Sequence, residues 1–114
     1  MRHLMLIRLD PNQAPDGPDE RLVADMTALI EDMTKAGVLL DTAGLSQETT
    51  RIRQTGGVQT VTDGPFTESK EIIGGYCLLQ TRTREEALEW ARRFLNVHGP
   101  EWDIELEVRA IDHP

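Results

Sequence analysis

Two helix-like segments, each set between strand-like segments, constrain the fold of this 114-residue chain more than any other feature. Residues 18–36 place apolar side chains every three or four positions, the spacing of one helical face: Leu22, Met26, Leu29 and Met33, widened by Val23 and Ile30. Residues 83–96 begin with a capping box of Thr83 and Glu86 and carry a second apolar stripe: Ala87, Leu88, Ala91, Phe94 and Leu95. Both segments are therefore predicted helices that bury one face.

Six further segments have the composition of β-strands. Residues 4–9 are a nearly continuous apolar run, which is typical of a central strand covered on both faces or nearly so, and residues 72–79 form a second apolar run. Within the second run, Gly74 and Gly75 predict the close approach of another backbone. Residues 104–109 alternate apolar and charged side chains, so one face of that strand is expected to be covered. The remaining strands are residues 38–45, 49–53 and 58–62, the last two joined by a turn at Gly56 and Gly57.

The resulting order is strand, helix, strand, hairpin, strand, helix, strand. It predicts an α+β fold: a ferredoxin-like βαβ-βαβ sandwich with an inserted β-hairpin and two helices on one face of a mostly antiparallel sheet. Residues 1–114 are expected to form one domain. Because the helix-free face of such a sheet must be polar or covered, we expect a homodimer.

Composition narrows the classes of partner and compartment. The formal net charge is −8, whereas a nucleic-acid surface needs clustered Lys and Arg, so no nucleic-acid partner is expected. Cys77 is the single cysteine and leaves no intrachain disulfide, which fits a cytoplasmic protein. The apolar run at residues 4–9 is too short to be a signal peptide or a membrane span, so no membrane partner is expected.

Residues 62–71 concentrate polar chemistry between two predicted strands. Asp63-Gly64-Pro65 has two interpretations: a turn built on local hydrogen bonds, or a turn that points Asp63 into a cleft as a base or acceptor. The same tripeptide at residues 16–18 precedes a predicted helix, which favours the structural interpretation.

Three carboxylates lie within nine residues in this segment, because Glu68 and Glu71 follow Asp63. Crowding beside Phe66 would raise a carboxyl pKa toward the range useful for acid–base catalysis, whereas Lys70 would oppose that shift. The alternative is a set of solvated surface charges. Phe66 is a candidate wall of a ligand site, a plug under the turn or a dimer contact.

Three other residues are candidates for a site. Tyr76 lies in a predicted strand, where its hydroxyl needs a partner if buried and can orient a ligand. Arg109 is a candidate for positioning an anionic or polar substrate. His98 follows the second predicted helix, where it either caps the negative helix end or acts in acid–base catalysis. No metal-binding or phosphate-binding motif is present, so no cofactor is predicted, although a weak oxygen-ligand site at the acidic turn stays open.

The run Asp63-Gly64-Pro65-Phe66, continued by Glu68, Lys70-Glu71 and Gly74-Gly75-Tyr76, resembles the DGPF-type branch of the YCII-related family. Similarity extends to residues 36–39, 44–45, 86–87 and 107–109. The resemblance implies a dimeric ferredoxin-like α/β barrel of unsettled biochemical role. Some relatives are fused to, or encoded beside, extracytoplasmic-function sigma factors, which implies a sigma-factor-type protein partner. In the YCII branch a helix-1 His and an Asp have been proposed as a catalytic pair, but residues 18–36 contain no histidine, so that pair is not carried over.

The sequence therefore predicts small-molecule binding or acid–base chemistry in a cleft walled by the DGPF loop (residues 63–66) of a homodimer. In the enzymatic version Asp63 is the base, and Tyr76 and Arg109 position the substrate. Two alternatives stay open: a non-catalytic sensor that uses the same cleft, and an accessory module linked to sigma-factor-type regulation.

Overall fold

The computed structural model describes residues 1–10, 17–64 and 72–112, which contain two helices and six strands. In chain order these are β1 (Arg2–Leu9), α1 (Glu20–Lys35), β2 (Leu39–Gly44), β3 (Thr50–Thr55), β4 (Val58–Asp63), β5 (Ile72–Gln80), α2 (Arg84–His98) and β6 (Ile104–Ala110). The predicted α+β class is confirmed. Neither helix is long and apolar enough to cross a membrane in the described part of the chain.

The six strands form two sheets. The larger has the order β2-β5-β1-β6, and each neighbouring pair in it is antiparallel. This order is consistent with a ferredoxin-like fold. The smaller sheet is the antiparallel pair of β3 and β4, here called the ribbon, whose turn places Gly56 and Gly57 at φ of +56° and +79°. Positive φ at both central residues is what a tight hairpin turn requires, and glycine adopts it without a steric penalty.

The four-stranded sheet has one face toward the helices. Its side chains pack with both helices into the core, which comprises Met5, Leu29, Met33, Val38, Cys77, Leu79, Ala87, Ala91 and Phe94. The other face, here called the open face, carries Leu4, Leu6, Arg8, Asp41, Ala43, Tyr76, Leu78, Glu105, Glu107 and Arg109, as the pairing register dictates. Residues 4–9 belong to a central strand, as predicted, and within one chain the helix side is covered more fully than the open face. His3 and Met5 are buried, whereas Leu4 and Leu6 are only partly buried.

The helices bury narrower stripes than the sequence predicts. In α1 the buried positions are Leu22, Leu29 and Met33, while Val23 is 54% exposed. In α2 they are Ala87, Ala91 and Phe94, while Leu95 is 37% exposed. Each outlier directly follows a buried residue and is therefore rotated about 100° around the helix axis. Because each helix packs against one layer, that rotation turns the side chain to solvent.

The helix starts are held by side-chain caps. Asp19 accepts a hydrogen bond from the Leu22 N–H at 2.8 Å, so α1 begins just after Pro18 rather than at it. Thr83 accepts from the Glu86 N–H at 3.2 Å, as the predicted capping box requires. The Glu86 carboxylate in turn accepts from the Arg82 N–H at 3.2 Å, one residue before the position that the motif normally uses.

Gly75 is where β5 meets another backbone, as predicted. A Cβ added there would lie 2.9 Å from the Ala43 carbonyl oxygen and 3.3 Å from Ile7 Cδ1. A Cβ added at Gly74 would lie 2.8 Å from Leu9 Cδ1, the end of a flexible side chain. The two adjacent glycines therefore differ in how the structure can relax around a methyl group.

We expect Gly75→Ala to lower the free energy of unfolding by about 1–3 kcal/mol, because the β2 backbone must move to admit the methyl group. Gly74→Ala is the matched control and should cost less, since Leu9 can change its side-chain conformation. Urea unfolding of both variants checks this prediction. Equal losses of stability in the two variants would contradict the assigned backbone contact.

Candidate functional site

Tyr76 and Asp41 form a hydrogen bond across two neighbouring strands of the open face. The Tyr76 hydroxyl donates to Asp41 Oδ2 at 2.6 Å, and Asp41 Oδ1 accepts from the Thr42 N–H at 2.9 Å. Tyr76 lies opposite Ala43 and Asp41 lies opposite Leu78, so the two side chains are diagonal neighbours within reach of each other. The carboxylate is held from two directions and is an oriented acceptor.

A β-bulge places Asp41 on this face. Leu39 pairs with Leu79, but Asp41 pairs with Leu78, so Leu40 is one extra residue in β2. If the pairing continued regularly from Leu39 and Leu79, Asp41 would lie opposite Cys77 and point toward the helices, because a one-residue shift in register moves a side chain to the other face. Sequence reasoning identified Tyr76 and missed Asp41, because within residues 38–45 the sequence predicts a bulge or a bend at Gly44, whereas the extra residue is Leu40.

The pKa of Tyr76 is raised above its ordinary value of 10.0. The hydrogen bond to Asp41 is the main cause, followed by desolvation and by the repulsion between the Asp41 charge and a phenolate. The hydroxyl therefore stays protonated at neutral pH and acts as a hydrogen-bond donor rather than as a base.

The rest of the open face is a partly buried apolar floor with a charged edge. Leu4, Leu6 and Leu78 form the floor, next to Tyr76. At the β6 side of the face, Arg8 of β1 contacts Glu107 of β6 at 3.4 Å. Arg109 of β6 is exposed and lies opposite Leu4 in the strand register. Tyr76 and Arg109 thus share the face at two strand spacings, about 10 Å apart across the sheet.

Asp63 lies on the ribbon, in a different sheet from Tyr76 and Arg109. Its Oδ1 accepts a hydrogen bond from the Thr50 hydroxyl at 3.0 Å, and the Gly64 N–H donates to the Thr49 carbonyl oxygen. The side chain is exposed and ties the last residue of β4 to the first residue of β3. Within one chain, Asp63 is not hydrogen-bonded to Tyr76 or to Asp41.

His98 belongs to the helix layer, on the opposite side of the sheet from Tyr76. Its Nδ1 lies 2.8 Å from the Phe94 carbonyl oxygen in the last turn of α2. Its ring lies 4.6 Å from the Phe94 ring and meets Trp102 edge-on at 5.6 Å. These contacts hold the ring against the end of its own helix.

The four remaining predicted site residues, Phe66, Glu68, Lys70 and Glu71, lie outside the described residues, and their roles stay predictions. Cys77 is buried on the helix side, 3.3 Å from the Thr42 hydroxyl. Burial raises the pKa of its thiol more than the contact with Thr42 lowers it, so the thiol stays protonated. Within residues 1–10, 17–64 and 72–112, no three His, Cys, Asp or Glu side chains are grouped to hold a metal ion.

Comparison with known proteins identifies the family. The sequence profile of the YCII-related domain matches residues 1–99, most of the chain. The chain belongs to the YCII-related family. An uncharacterised protein of Rhizobium meliloti (strain 1021) is 33% identical over 98 residues, which is 84% of this chain and 79% of that relative.

Tyr76 is the single tyrosine of the chain, so phenolate absorbance reports this site alone. We expect Asp41→Asn to lower the pKa of Tyr76 toward its ordinary value, because the charged acceptor is lost. Because the pKa of Tyr76 is higher in the folded protein than its ordinary value of 10.0, the protonated hydroxyl stabilises the fold fully below pH 10. This stabilisation is lost as the pH rises through the raised pKa. Ultraviolet titration of the folded protein measures the shift.

Glu107→Gln is the matched control for this titration. It removes one negative charge from the same face, two strands from Tyr76, without touching the hydrogen bond. Its Tyr76 titration should follow the wild-type curve. If Asp41→Asn titrates like the wild type, the hydrogen bond does not set the pKa of Tyr76.

Proposed function

We propose that this YCII-related protein, a single domain of the DGPF branch spanning residues 1–114, is a homodimer that binds a small polar molecule. The ligand lies on the open face, in a cleft walled by the DGPF loop. The observation that supports this proposal is the 2.6 Å hydrogen bond between Tyr76 and Asp41. A bulge in β2 turns this carboxylate away from the core and onto the open face, beside the apolar floor.

The polar groups of the face define the class of ligand. Asp41 has lone pairs left after its two hydrogen bonds, so this end of the face attracts donors such as an ammonium or a hydroxyl group. Arg109, three strand spacings or roughly 14 Å from Asp41 across β5 and β1, attracts an anionic group. Leu4, Leu6 and Leu78 between them favour an apolar middle. A molecule with a donor at one end and a carboxylate at the other fits this order.

Binding accounts for the geometry better than acid–base chemistry does. Tyr76 has a raised pKa, so the phenolate that could act as a base is scarce at neutral pH, and Asp63 is held by Thr50 at the base of the ribbon. The enzymatic version is the second candidate, with Asp63 as base once a ligand lies between the ribbon and the open face. If a bound ligand is turned over, Asp63→Asn in the folded protein should abolish turnover without abolishing binding.

Two further expectations stay proposals. In the alternative role, the protein is a cytoplasmic accessory module that binds a sigma-factor-type protein partner. Phe66, the residue proposed to contact that partner, lies outside the described residues. Co-purification of a sigma factor that is lost in Phe66→Ala, with folding retained, would support this alternative.

The direct test uses 6-aminohexanoate, whose ammonium and carboxylate are joined by five methylenes. We expect it to shift backbone amide resonances of β2, β5 and β6, and to bind more tightly than hexylamine or hexanoate. Asp41→Asn should weaken binding about tenfold or more, since a hydrogen bond to a charged group contributes about 1.5–3 kcal/mol. NMR titration of each variant provides the dissociation constants.

Glu105→Gln is the control for this titration. It removes one negative charge at the β6 edge of the same face, level with Arg8, and should change the dissociation constant less than about twofold. Absence of shifts in β2 and β5 with all three compounds would rule out a donor-binding site at Tyr76 and Asp41.

A further inference from the structure

The two sides of the ribbon carry different chemistry. All twelve residues of β3 and β4 are exposed, and their side chains alternate between the two sides along each strand. One side, here called the arginine side, comprises Arg51, Arg53, Thr55, Val58, Thr60 and Thr62. No carboxylate belongs to the arginine side, because Asp63, the single acidic residue of the two strands, lies on the other side with Thr50. The arginine side therefore carries positive charge in a chain whose net charge is −8.

The pairing register places a threonine hydroxyl opposite each arginine. Thr62 is the cross-strand partner of Arg51, and Thr60 is the partner of Arg53. Side chains on one side of a strand are two residues, or about 7 Å, apart, and paired strands lie about 4.8 Å apart. The four Cα atoms thus mark out a rectangle of about 7 by 5 Å. A cavity of about 750 Å³ is lined by these four residues together with Ile52 and Gln54.

Outside the ribbon, four arginines are paired with carboxylates of the same chain. These pairs are Arg8–Glu107, Arg21–Asp25, Arg92–Glu89 and Arg93–Asp32. Arg53, by contrast, forms no ion pair and no side-chain hydrogen bond with any of the described residues. Its guanidinium N–H donors are therefore available to an external anion.

We propose that the arginine side binds the phosphoryl group of a small phosphomonoester. Arg51 and Arg53 are the bidentate donors, and the hydroxyls of Thr60 and Thr62 are further donors. This site is separate from the open face, because the ribbon belongs to the smaller sheet. The inference goes beyond the proposed function and depends neither on a homodimer nor on the ligand of the open face.

The number of donors favours a phosphoryl group over a carboxylate. Each guanidinium can donate two parallel N–H bonds to one anion, and with the two hydroxyls the site supplies roughly six donors. A carboxylate has about four lone-pair sites, whereas a phosphoryl group presents three strong acceptor oxygens, each with about two lone pairs. Charge agrees with this count, because a phosphomonoester carries about −1.5 to −2 at pH 7, which two guanidinium groups balance.

Volume and net charge favour a soluble small molecule over a membrane lipid as the source of the phosphoryl group. Sites for small molecules commonly measure about 300–1,000 Å³, a range that includes this cavity. The net charge of −8 opposes approach to an anionic bilayer. Anionic bilayers attract clusters of about four to eight basic residues, whereas the ribbon carries two arginines.

The first test is an NMR titration of the full chain with methyl phosphate at constant ionic strength, so that the screening of exposed charges does not change. We expect shifts of the backbone amide resonances of β3 and β4, and a dissociation constant at least about tenfold lower than that for acetate. The two probes share a methyl group and differ in the anionic group. Shifts that avoid the ribbon, or equal affinities for the two probes, would overturn phosphoryl recognition by the arginine side.

Substitution of Arg53 tests the assigned donors. Arg53→Gln should raise the dissociation constant for methyl phosphate about tenfold or more. Arg53→Lys keeps the charge but not the bidentate fork, and should raise that constant about threefold or more. Arg82→Gln makes the same charge change just before α2 and should stay within about twofold of the wild type.

The fold of these variants is checked in the same spectra. Because Arg53 is exposed, the amide resonances of the four-stranded sheet should not change in either Arg53 variant. With that fold intact, an Arg53→Gln variant that binds methyl phosphate as tightly as Arg82→Gln does would overturn the proposal. The open face is tested separately, because 6-aminohexanoate is expected to shift resonances of β2, β5 and β6 rather than those of the ribbon.

A vesicle experiment separates the two sources of a phosphomonoester. Phosphatidic acid carries this group on a lipid, so the protein is sedimented with phosphatidylcholine vesicles that contain or lack phosphatidic acid. We expect no enrichment of the protein on either kind of vesicle, in agreement with a soluble ligand. Binding to the phosphatidic acid vesicles without binding to methyl phosphate would overturn the assignment of a small soluble molecule.

Discussion

The pairing of β2 with β5 is the contact on which the candidate site depends. Gly44 lies opposite Gly75, and the Leu45 N–H donates to the Gly74 carbonyl oxygen at 2.9 Å, so the two strands meet without side chains between them. Further along the same pair, the extra residue in β2 changes the register by one. A carboxylate that would otherwise face the core, where an unpaired charge is strongly unfavourable, reaches the Tyr76 hydroxyl instead.

The sheet separates two chemical environments. On the helix side, burial keeps the Cys77 thiol protonated, and the His98 ring lies against the Phe94 carbonyl oxygen. On the open face, the Tyr76–Asp41 hydrogen bond and the Arg8–Glu107 ion pair surround an apolar floor. Specific recognition is therefore expected on the side that carries no helix, because oriented polar groups and apolar surface occur there together.

Much of the fold was predictable from local patterns, while the site was predictable only in part. The cap at Thr83 and the close approach at Gly75 each follow from short-range chemistry and are present in the structure. Val23 and Leu95 were placed in buried stripes and are exposed, since periodicity cannot say how wide a stripe the partner layer covers. Tyr76 was identified as a site residue from its strand, but its partner Asp41 was not, because a bulge depends on pairing with a distant strand.

The sequence by itself determined the number, kind and order of the helices and strands, the acidic balance, and the family to which the chain is similar. These properties depend on residue spacing and composition, which the sequence contains directly. The tertiary structure alone decided the register in which the strands of the larger sheet pair, where that register shifts, and which side chains share the open face. The physical reason is that one extra residue in a strand reverses the direction of each side chain after it. That reversal is defined only by the neighbouring strand, which here is more than thirty residues away in sequence, as the hydrogen-bonded pair of Asp41 and Tyr76 illustrates.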